Sequence, residues 1–189
     1  MSLGFDQAKE AVLKEADALL STLDSNKVKR FIARLEGDWR RRRLFFWARG
    51  RSFLVLQGFA VRLMHMGYEV HIVGEVNCPA IGGGDILVVA SGSGGTSSVL
   101  LMVEKAHQFG AEVVAIVGRP GSSLQEKADE VVEFNPEKAG DSVQLFSNGG
   151  GTRFEHSLML FFDSIILSLV FPRREEAYRE MMERHANLE

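Results

Sequence analysis

Apolar residues recur along this chain in two alternating patterns. Short continuous runs rich in branched and aromatic residues are typical of strands buried on both faces of a parallel sheet. The longer segments between them carry apolar residues every three to four positions, as amphipathic helices do. The alternation predicts an α/β fold, a three-layer αβα sandwich around a five-stranded parallel sheet of the flavodoxin-like or Rossmann-like kind. The predicted strands are 44–48, 68–74, 85–90, 112–118 and 130–135.

The chain is expected to form one domain, 1–189, built from three parts. Two amphipathic helices occupy about 5–37, the αβα core about 43–135, and C-terminal helices about 152–185. Two helices before the first strand are more than a minimal doubly wound sheet needs. Their apolar stripes are therefore expected to face a neighbouring subunit.

A strongly apolar helix follows the polar, glycine-rich loop 135–152 and ends near Pro172. Thr152 is placed to cap it, and Glu155 stands three residues further on, as in a capping box. Together with the N-terminal helices it offers more apolar surface than five strands can cover, which predicts a dimer or a dimer of dimers. Its apolar positions are Phe154, Leu158, Phe161, Phe162, Ile165, Ile166 and Leu169.

Composition narrows the class of protein. A formal charge of −3 is too near neutral to indicate nucleic acid or an anionic membrane as partner. The basic run 40–43 is interpreted as a solvated strand entrance. Cys78 is the single cysteine, so no intramolecular disulfide is expected. The acidic, amphipathic N-terminus lacks a signal peptide's apolar core, and the apolar stretch 158–171 is too short for a membrane span, which favours a cytoplasmic protein.

The most informative stretch joins the central predicted strand to the next helix. Ser91, Gly92, Ser93, Gly94 and Thr96 lie in this turn. A helix N-terminus has free backbone N–H groups and the positive end of the dipole, glycines allow close approach, and hydroxyls add donors, so the turn suits a phosphate. It lacks the spacing of a Walker A loop or a dinucleotide fingerprint. The same turn also fits a simple capped helix start, and the residues alone leave both interpretations open.

A second strand–turn–helix junction contains Gly50, Arg51 and Ser52. With the first junction it resembles the phosphosugar-binding signature of SIS (sugar isomerase) domains, and within that family the sequence is most similar to 6-phospho-3-hexuloisomerases. The resemblance runs from about residue 5 to the C-terminus, and RLMHMGYEVHIVGE with the tail RHANL is its most specific part. Other matching stretches are Pro79-Ala80 and Gly151-Thr152-Arg153-Phe154-Glu155.

The resemblance implies a metal-free, cofactor-free tetramer that interconverts D-arabino-hex-3-ulose 6-phosphate and D-fructose 6-phosphate in formaldehyde fixation. It implies Glu155 as catalytic base and His185 as a residue that reaches a neighbouring subunit's site. The matching phosphate ligands are Ser52, Ser91, Ser93 and Thr96, with Gly50, Arg51, Gly92 and Gly94 as further substrate-binding residues. Departures from the family pattern, which put the pocket's shape and substrate in question, are Arg49, Phe53, Asn77 and Cys78.

Moving a carbonyl between C3 and C2 runs through an enediol and needs a base for a carbon-bound proton. A partly desolvated Glu155 fits this role, and it equally fits the capping carboxylate of its helix. For His185, the alternative is that it lies in a terminal tail and has no catalytic role. Arg51 is placed to contact the phosphate, a sugar hydroxyl or an acid. A phosphosugar sensor and an isomerase of another sugar phosphate remain alternatives, although no DNA-binding recognition helix is evident.

Overall fold

A computed structural model describes residues 3–141 and 152–188. Its centre is a parallel sheet of five strands, as predicted. The strands are β1 Leu44–Ala48, β2 Val70–Ile72, β3 Ile86–Ser91, β4 Glu112–Val117 and β5 Glu130–Glu133. They lie in the order β2-β1-β3-β4-β5, which is that of flavodoxin-like folds.

Seven α-helices accompany the sheet in the described ranges: α1 Phe5–Leu20, α2 Ser25–Glu36, α3 Gly50–His65, α4 Ser97–Gln108, α5 Ser123–Lys127, α6 Thr152–Val170 and α7 Arg174–Glu183. Short 3₁₀ turns, Asp38–Arg41 and Phe171–Arg173, precede β1 and α7. The patterns did not predict the first of these turns. Asp24 caps α2, since its carboxylate accepts the backbone N–H of Asn26 at 2.7 Å.

Strand β2 is shorter than the seven residues predicted. At its start, the Tyr68 side chain is buried and its hydroxyl donates to the carbonyl of Leu35 at 2.8 Å. At its end, Gly74 takes a left-handed φ of 98°, which turns the chain out of the sheet. Tyr68 is therefore used as a core anchor for α2, and only Val70–Ile72 pair with β1.

The two faces of the sheet have separate cores. Alternate β1 residues, Leu44 and Phe46, pack with α2, α3 and α6, while Phe45 points to the face covered by α4 and α5. All seven apolar positions predicted for α6 are buried. Phe59 of α3 stacks on Phe162 of α6 at a centroid distance of 4.1 Å, which joins these helices above the sheet.

The apolar stripe of α2 is used mainly inside this chain. Phe31 and Leu35 are fully buried in its own core, and Val28 and Ile32 pack against that core while partly exposed, so little of the stripe is left for a neighbour. Helix α1 differs, because Phe5 and Leu13 are 81% and 59% exposed. Phe109, which follows the apolar spacing of α4, lies just beyond its end and is 61% exposed.

The basic run before β1 is only in part the solvated entrance that its sequence predicts, because Arg40 and Arg41 are exposed whereas Arg42 is half-buried. Arg42 donates to Glu112 at 2.6 Å, and Arg34 of α2 also donates to Glu112 and, at 2.8 Å, to Asp38. The pKa of Glu112 is lowered chiefly by the hydrogen bond from Arg34. The hydrogen bond from Arg42 lowers it further, against the effect of burial. These contacts fasten α2 to the amino end of β4. Within this run, the charge of Arg42 therefore helps to hold the fold together.

The helical run Arg153–Glu183 has the length and mean hydropathy, 1.6, of a membrane-crossing helix, the one such run in residues 3–141 and 152–188. The apolar stretch 158–171 of the sequence is shorter, because this run also includes the first turn of α6, the 3₁₀ turn Phe171–Arg173 and α7. Half of its apolar window is buried inside the fold, as in the core helix of a folded domain.

We predict that Glu112→Gln lowers the free energy of unfolding by about 1–3 kcal/mol at pH 7, because two guanidinium groups lose an ionised acceptor. Since the pKa of Glu112 is lowered in the folded state, its contribution is fully present above the unfolded value of about 4.3 and disappears as the pH falls through the folded value. Urea unfolding at pH 7 and at about pH 3 measures both effects.

Glu104→Gln is the matched control, since Glu104 forms an exposed ion pair with Lys127 at 3.0 Å. It should cost less than about 1 kcal/mol at either pH. Equal losses in the two variants would contradict a structural role for the network around Arg34.

Candidate active site

The strand order creates a crevice at the carboxyl ends of β1 and β3. Helix α3 follows β1 on one face of the sheet, and α4 follows β3 on the other. Ala48 lies in register with Ala90, so the residues after both strands emerge side by side. In open α/β sheets, ligands bind at this type of switch point. The two predicted phosphate-binding junctions therefore meet at one place.

The first junction opens α3. Gly50 adopts a left-handed φ of 59°, a conformation that glycine takes without steric cost. The Ser52 side chain is 7% exposed and turns inward, whereas Arg51 projects into solvent with 57% of its side chain exposed. The helix thus presents its N-terminus with one buried hydroxyl and one exposed guanidinium.

The second junction opens α4, and its hydroxyls contact its own loop. Ser91 is buried, lies 3.2 Å from the Thr96 hydroxyl and accepts the N–H of Gly94 at 3.0 Å. Ser93 is exposed and accepts the N–H of Gly95 at 3.3 Å. Thr96 is the N-cap residue, but its side chain makes no capping hydrogen bond to α4. A simple capped start does not account for this hydroxyl.

Two residues missed by the sequence analysis hold this loop in place. A Cβ added at Gly118, just after β4, would lie 2.6 Å from the Gly92 carbonyl oxygen and 2.7 Å from the Phe154 ring, so a side chain has no room here. Ser122 packs directly against Gly94, and its buried hydroxyl has no hydrogen-bond partner in the described part of the chain. In the sequence, these two residues are marked only by a glycine directly after β4 and by the pair Ser122-Ser123 in the following turn.

Glu155 lies in the first turn of α6 and faces the first junction. It is 7% exposed, its Oε1 accepts from the Ser52 hydroxyl at 3.5 Å, and its Oε2 lies 3.6 Å from Nε of Arg51. Burial raises the pKa of Glu155, while the charge of Arg51 and the hydrogen bond from Ser52 oppose the rise. The result is a partly desolvated carboxylate beside a candidate anion site.

The capping box predicted for α6 lies partly outside the described residues. Thr152 begins the helix, but its side chain is not described, and neither are Gly149, Gly150 and Gly151. The described partners of Glu155 belong to α3. Arg153 on the same turn is buried and donates to the Gly140 carbonyl at 3.1 Å.

His185 does not join these residues within one chain. Its ring stacks on His65, at the C-terminal end of α3, with centroids 5.1 Å apart. Ser52 lies near the other end of the same helix, about 20 Å away at 1.5 Å per residue. The structure therefore brings together Arg51, Ser52 and Glu155 and separates His185 from them.

The residues that depart from the family pattern lie at the start of α3 and in the loop after β2. Phe53 contacts the Trp47 ring edge-on at 5.3 Å, and Arg49 is the exposed N-cap of α3. Asn77 is exposed in the loop after β2. Burial, with a smaller effect of the charge of Glu75, raises the pKa of Cys78, which argues against a thiolate nucleophile. No cluster of three His, Cys, Asp or Glu residues suited to a metal ion occurs in 3–141 and 152–188.

Comparison with known proteins connects this geometry to a family. The sequence profile of the SIS domain matches residues 39–176. The chain is 36% identical over 148 residues to the 3-hexulose-6-phosphate isomerase of Bacillus subtilis, covering 77% of this chain and 80% of that protein. The corresponding enzyme of Methylomonas aminofaciens is 40% identical over 149 residues, covering 78% and 81%.

A solved structure agrees along almost the whole chain. It is a Methanococcus jannaschii protein for which a molecular function of 3-hexulose-6-phosphate isomerase has been inferred, and it superposes with a TM-score of 0.79 and 31% identity, covering 97% of this chain and 99% of that one. The profile, the relatives and the crevice at the β1–β3 switch point lead to the same assignment: this chain belongs to the SIS domain family.

Proposed function

We propose that the protein is a phosphosugar isomerase that interconverts D-arabino-hex-3-ulose 6-phosphate and D-fructose 6-phosphate. The observation that carries the proposal is the buried carboxylate of Glu155, held by Ser52 at the crevice where two hydroxyl-rich junctions meet. Relatives named 3-hexulose-6-phosphate isomerase, at 36–40% identity, support this choice of substrate.

The phosphate would bind between the N-termini of α3 and α4. Both helix ends supply backbone N–H groups and a positive dipole end, which stabilise an anion. Gly50, Gly92 and Gly94 let the backbone approach the ligand closely, and Arg51 adds an exposed positive charge. The proposed side-chain ligands are Ser52, Ser91, Ser93 and Thr96.

The reaction needs one base for a carbon-bound proton. In the direction of fructose 6-phosphate, Glu155 would take the proton from C2 of the 3-ketose, giving a C2–C3 enediol, and return a proton to C3. The C2 hydroxyl proton is transferred toward the former carbonyl oxygen, which leaves the carbonyl at C2. A carboxylate whose pKa is raised by burial is a stronger base than one in water.

The oxygen-bound protons need a second group, and we assign this role to His185 of a neighbouring subunit. An imidazole can donate or accept a proton at the enediol oxygens or during ring opening. Because His185 lies far from Glu155 within one chain, the two residues can act on one substrate if a dimer or tetramer shares its active sites between subunits. Exposed apolar side chains support self-association, among them Phe5, Leu54, Met159, Leu167 and Phe171. We propose a cytoplasmic enzyme that uses neither metal nor cofactor.

A coupled assay of hex-3-ulose 6-phosphate conversion to fructose 6-phosphate tests the activity. Turnover supports the isomerase. Tight phosphosugar binding without turnover would instead favour a sensor, and turnover restricted to another sugar phosphate would redirect the proposal to that substrate.

Thr96→Val is predicted to weaken binding of fructose 6-phosphate about tenfold with little change in Tm, because its hydroxyl does not cap α4. Ser91→Ala should weaken binding and also lower Tm, since the buried N–H of Gly94 loses its acceptor. Calorimetric titration and thermal unfolding measure the two effects. Unchanged affinity in both variants would remove this loop from the phosphate site.

Glu155→Gln is predicted to lower kcat by about 10²-fold or more, the usual scale for a lost general base. Because the folded-state pKa of Glu155 is raised, ionising it opposes folding as the pH rises, so the variant should keep or increase its Tm at pH 7. The acid limb of kcat/KM should lie above the ordinary glutamate value of about 4.3.

Arg51→Met is the companion variant, because the charge of Arg51 lowers the pKa of Glu155. It should move the acid limb to higher pH. A fully active Glu155→Gln enzyme, or an acid limb that Arg51→Met leaves in place, would contradict the role of Glu155.

A shared site predicts complementation between two inactive proteins. A chain that lacks residues 184–189 and the Glu155→Gln variant should each lose about 10²-fold or more in turnover. Mixed oligomers should regain activity, since some sites would combine an intact Glu155 with an intact His185. Light scattering verifies the oligomer first, and a monomer, or confirmed hybrids without activity, would show that the site lies within one chain.

A further inference from the structure

The C-terminal tail is fastened to the end of α3 opposite the candidate active site. Arg184 and His185 follow α7, and both contact the last residues of α3. Arg184 donates to the carbonyl of His65 at 3.4 Å, and the His185 ring lies over the His65 ring. Two neighbouring side chains of the tail thus use one residue of α3 as their contact.

Arg184 joins the C-terminal ends of two helices. Besides the His65 carbonyl of α3, its Nη1 donates to the Glu180 carbonyl of α7 at 2.7 Å. Carbonyl groups in a last helical turn lack intrahelical partners and form the negative end of the dipole, so a guanidinium is favourable there. A Cβ at Gly67 would lie only 3.3 Å from the Arg184 guanidinium, so this glycine leaves room for the group.

His65 provides the ring surface. Its side chain is 5% exposed, and the two imidazole planes are 21° apart, which is a stacked arrangement. Burial, then the charges of His185 and Arg62, lower the pKa of His65, so the ring is neutral near pH 7. A neutral, buried ring is a suitable platform for a second imidazole.

We propose that His65 is a positioning residue, which holds the tail so that His185 leaves α7 in the direction of a neighbouring subunit's site. The proposal rests on the proposed function. The residues from Arg184 to Leu188 are exposed, and a free tail of this length would sample many conformations. Anchoring its first two residues reduces the conformational entropy that the tail loses when it is ordered in a site, and it limits where the imidazole can reach. The placement matters, because misplacing a reacting group by about 1 Å can lower the rate about 10²-fold.

A double-mutant cycle tests this coupling. His65→Ala should lower kcat by about 10- to 10²-fold with little change in KM. In a His185→Ala background, the same substitution should change kcat by less than about threefold, because the group that it positions is already absent. His65→Phe keeps an aromatic ring and should restore most of the activity.

Met64→Ala is the matched control. Met64 lies on the same turn of α3 but lines the groove beside β2, away from the tail. It should leave kcat close to that of the wild type. If His65→Ala loses the same factor with and without His185, its effect is structural and the proposal is overturned.

A second measurement follows the tail itself and does not depend on activity. Trypsin cleavage after Arg184, detected by mass spectrometry as loss of residues 185–189, should be about three- to tenfold faster in His65→Ala, as expected for the loss of one aromatic pair. Met64→Ala and His65→Phe should cleave at the wild-type rate. Equal cleavage in all four proteins would show that His65 does not hold the tail.

The two measurements separate the two proposals. Faster cleavage in a protein that does not isomerise hex-3-ulose 6-phosphate would leave the anchored tail correct and the proposed reaction wrong. An active enzyme whose kcat and tail cleavage are insensitive to His65→Ala would leave the reaction correct and the positioning role wrong.

Discussion

Close packing at Gly118 determines how the parts of the candidate active site meet. A side chain there would collide with the Gly92 carbonyl and the Phe154 ring, so the end of β4, the loop after β3 and the start of α6 are packed directly against each other. Glu155 is the next residue after Phe154, and its position relative to Ser91 and Ser52 depends on this contact. Protein interiors are packed so densely that even one methyl group would displace the carboxylate or the loop.

The carboxylate is held in an environment that favours its chemistry at some cost to folding. Burial disfavours the ionised form of Glu155, and Arg51 and Ser52 compensate only in part, as the raised pKa indicates. The carboxylate of Glu112 has the opposite environment, because two arginines lower its pKa and stabilise the charge. The fold thus stabilises the ionised form of Glu112, which has a structural role. It raises the pKa of Glu155, the candidate base, toward the pH range in which proton transfer is efficient.

Helix α3 connects the two ends of the proposed mechanism. Its first turn supplies Arg51 and Ser52 to the crevice, and its last turn receives Arg184 and His185 from the tail. About 20 Å of helix separates them, so one chain cannot bring His185 to its own Glu155 in this arrangement. A rigid helix with the candidate active site at one end and the tail at the other is a suitable spacer between sites in the proposed oligomer.

The sequence by itself determined the order of helices and strands and where the two hydroxyl-rich junctions lie. Local patterns carry this information, since hydrophobic period and turn residues reflect the geometry of each element. It also indicated Glu155 and His185, through the resemblance to SIS domains. It misjudged part of the run before β1, because Glu112, which accepts from Arg42, lies 70 residues away in β4.

Only the tertiary structure decided how these elements come together. The strand order that places Ser52 beside the loop of Ser91, the close approach at Gly118 and the burial of Glu155 all arise from contacts between residues far apart in the chain. The stacking of His65 on His185 links residues 120 positions apart in the same way. Such contacts have no local signature, because the side chains that meet are chosen by the packing of whole helices on the sheet.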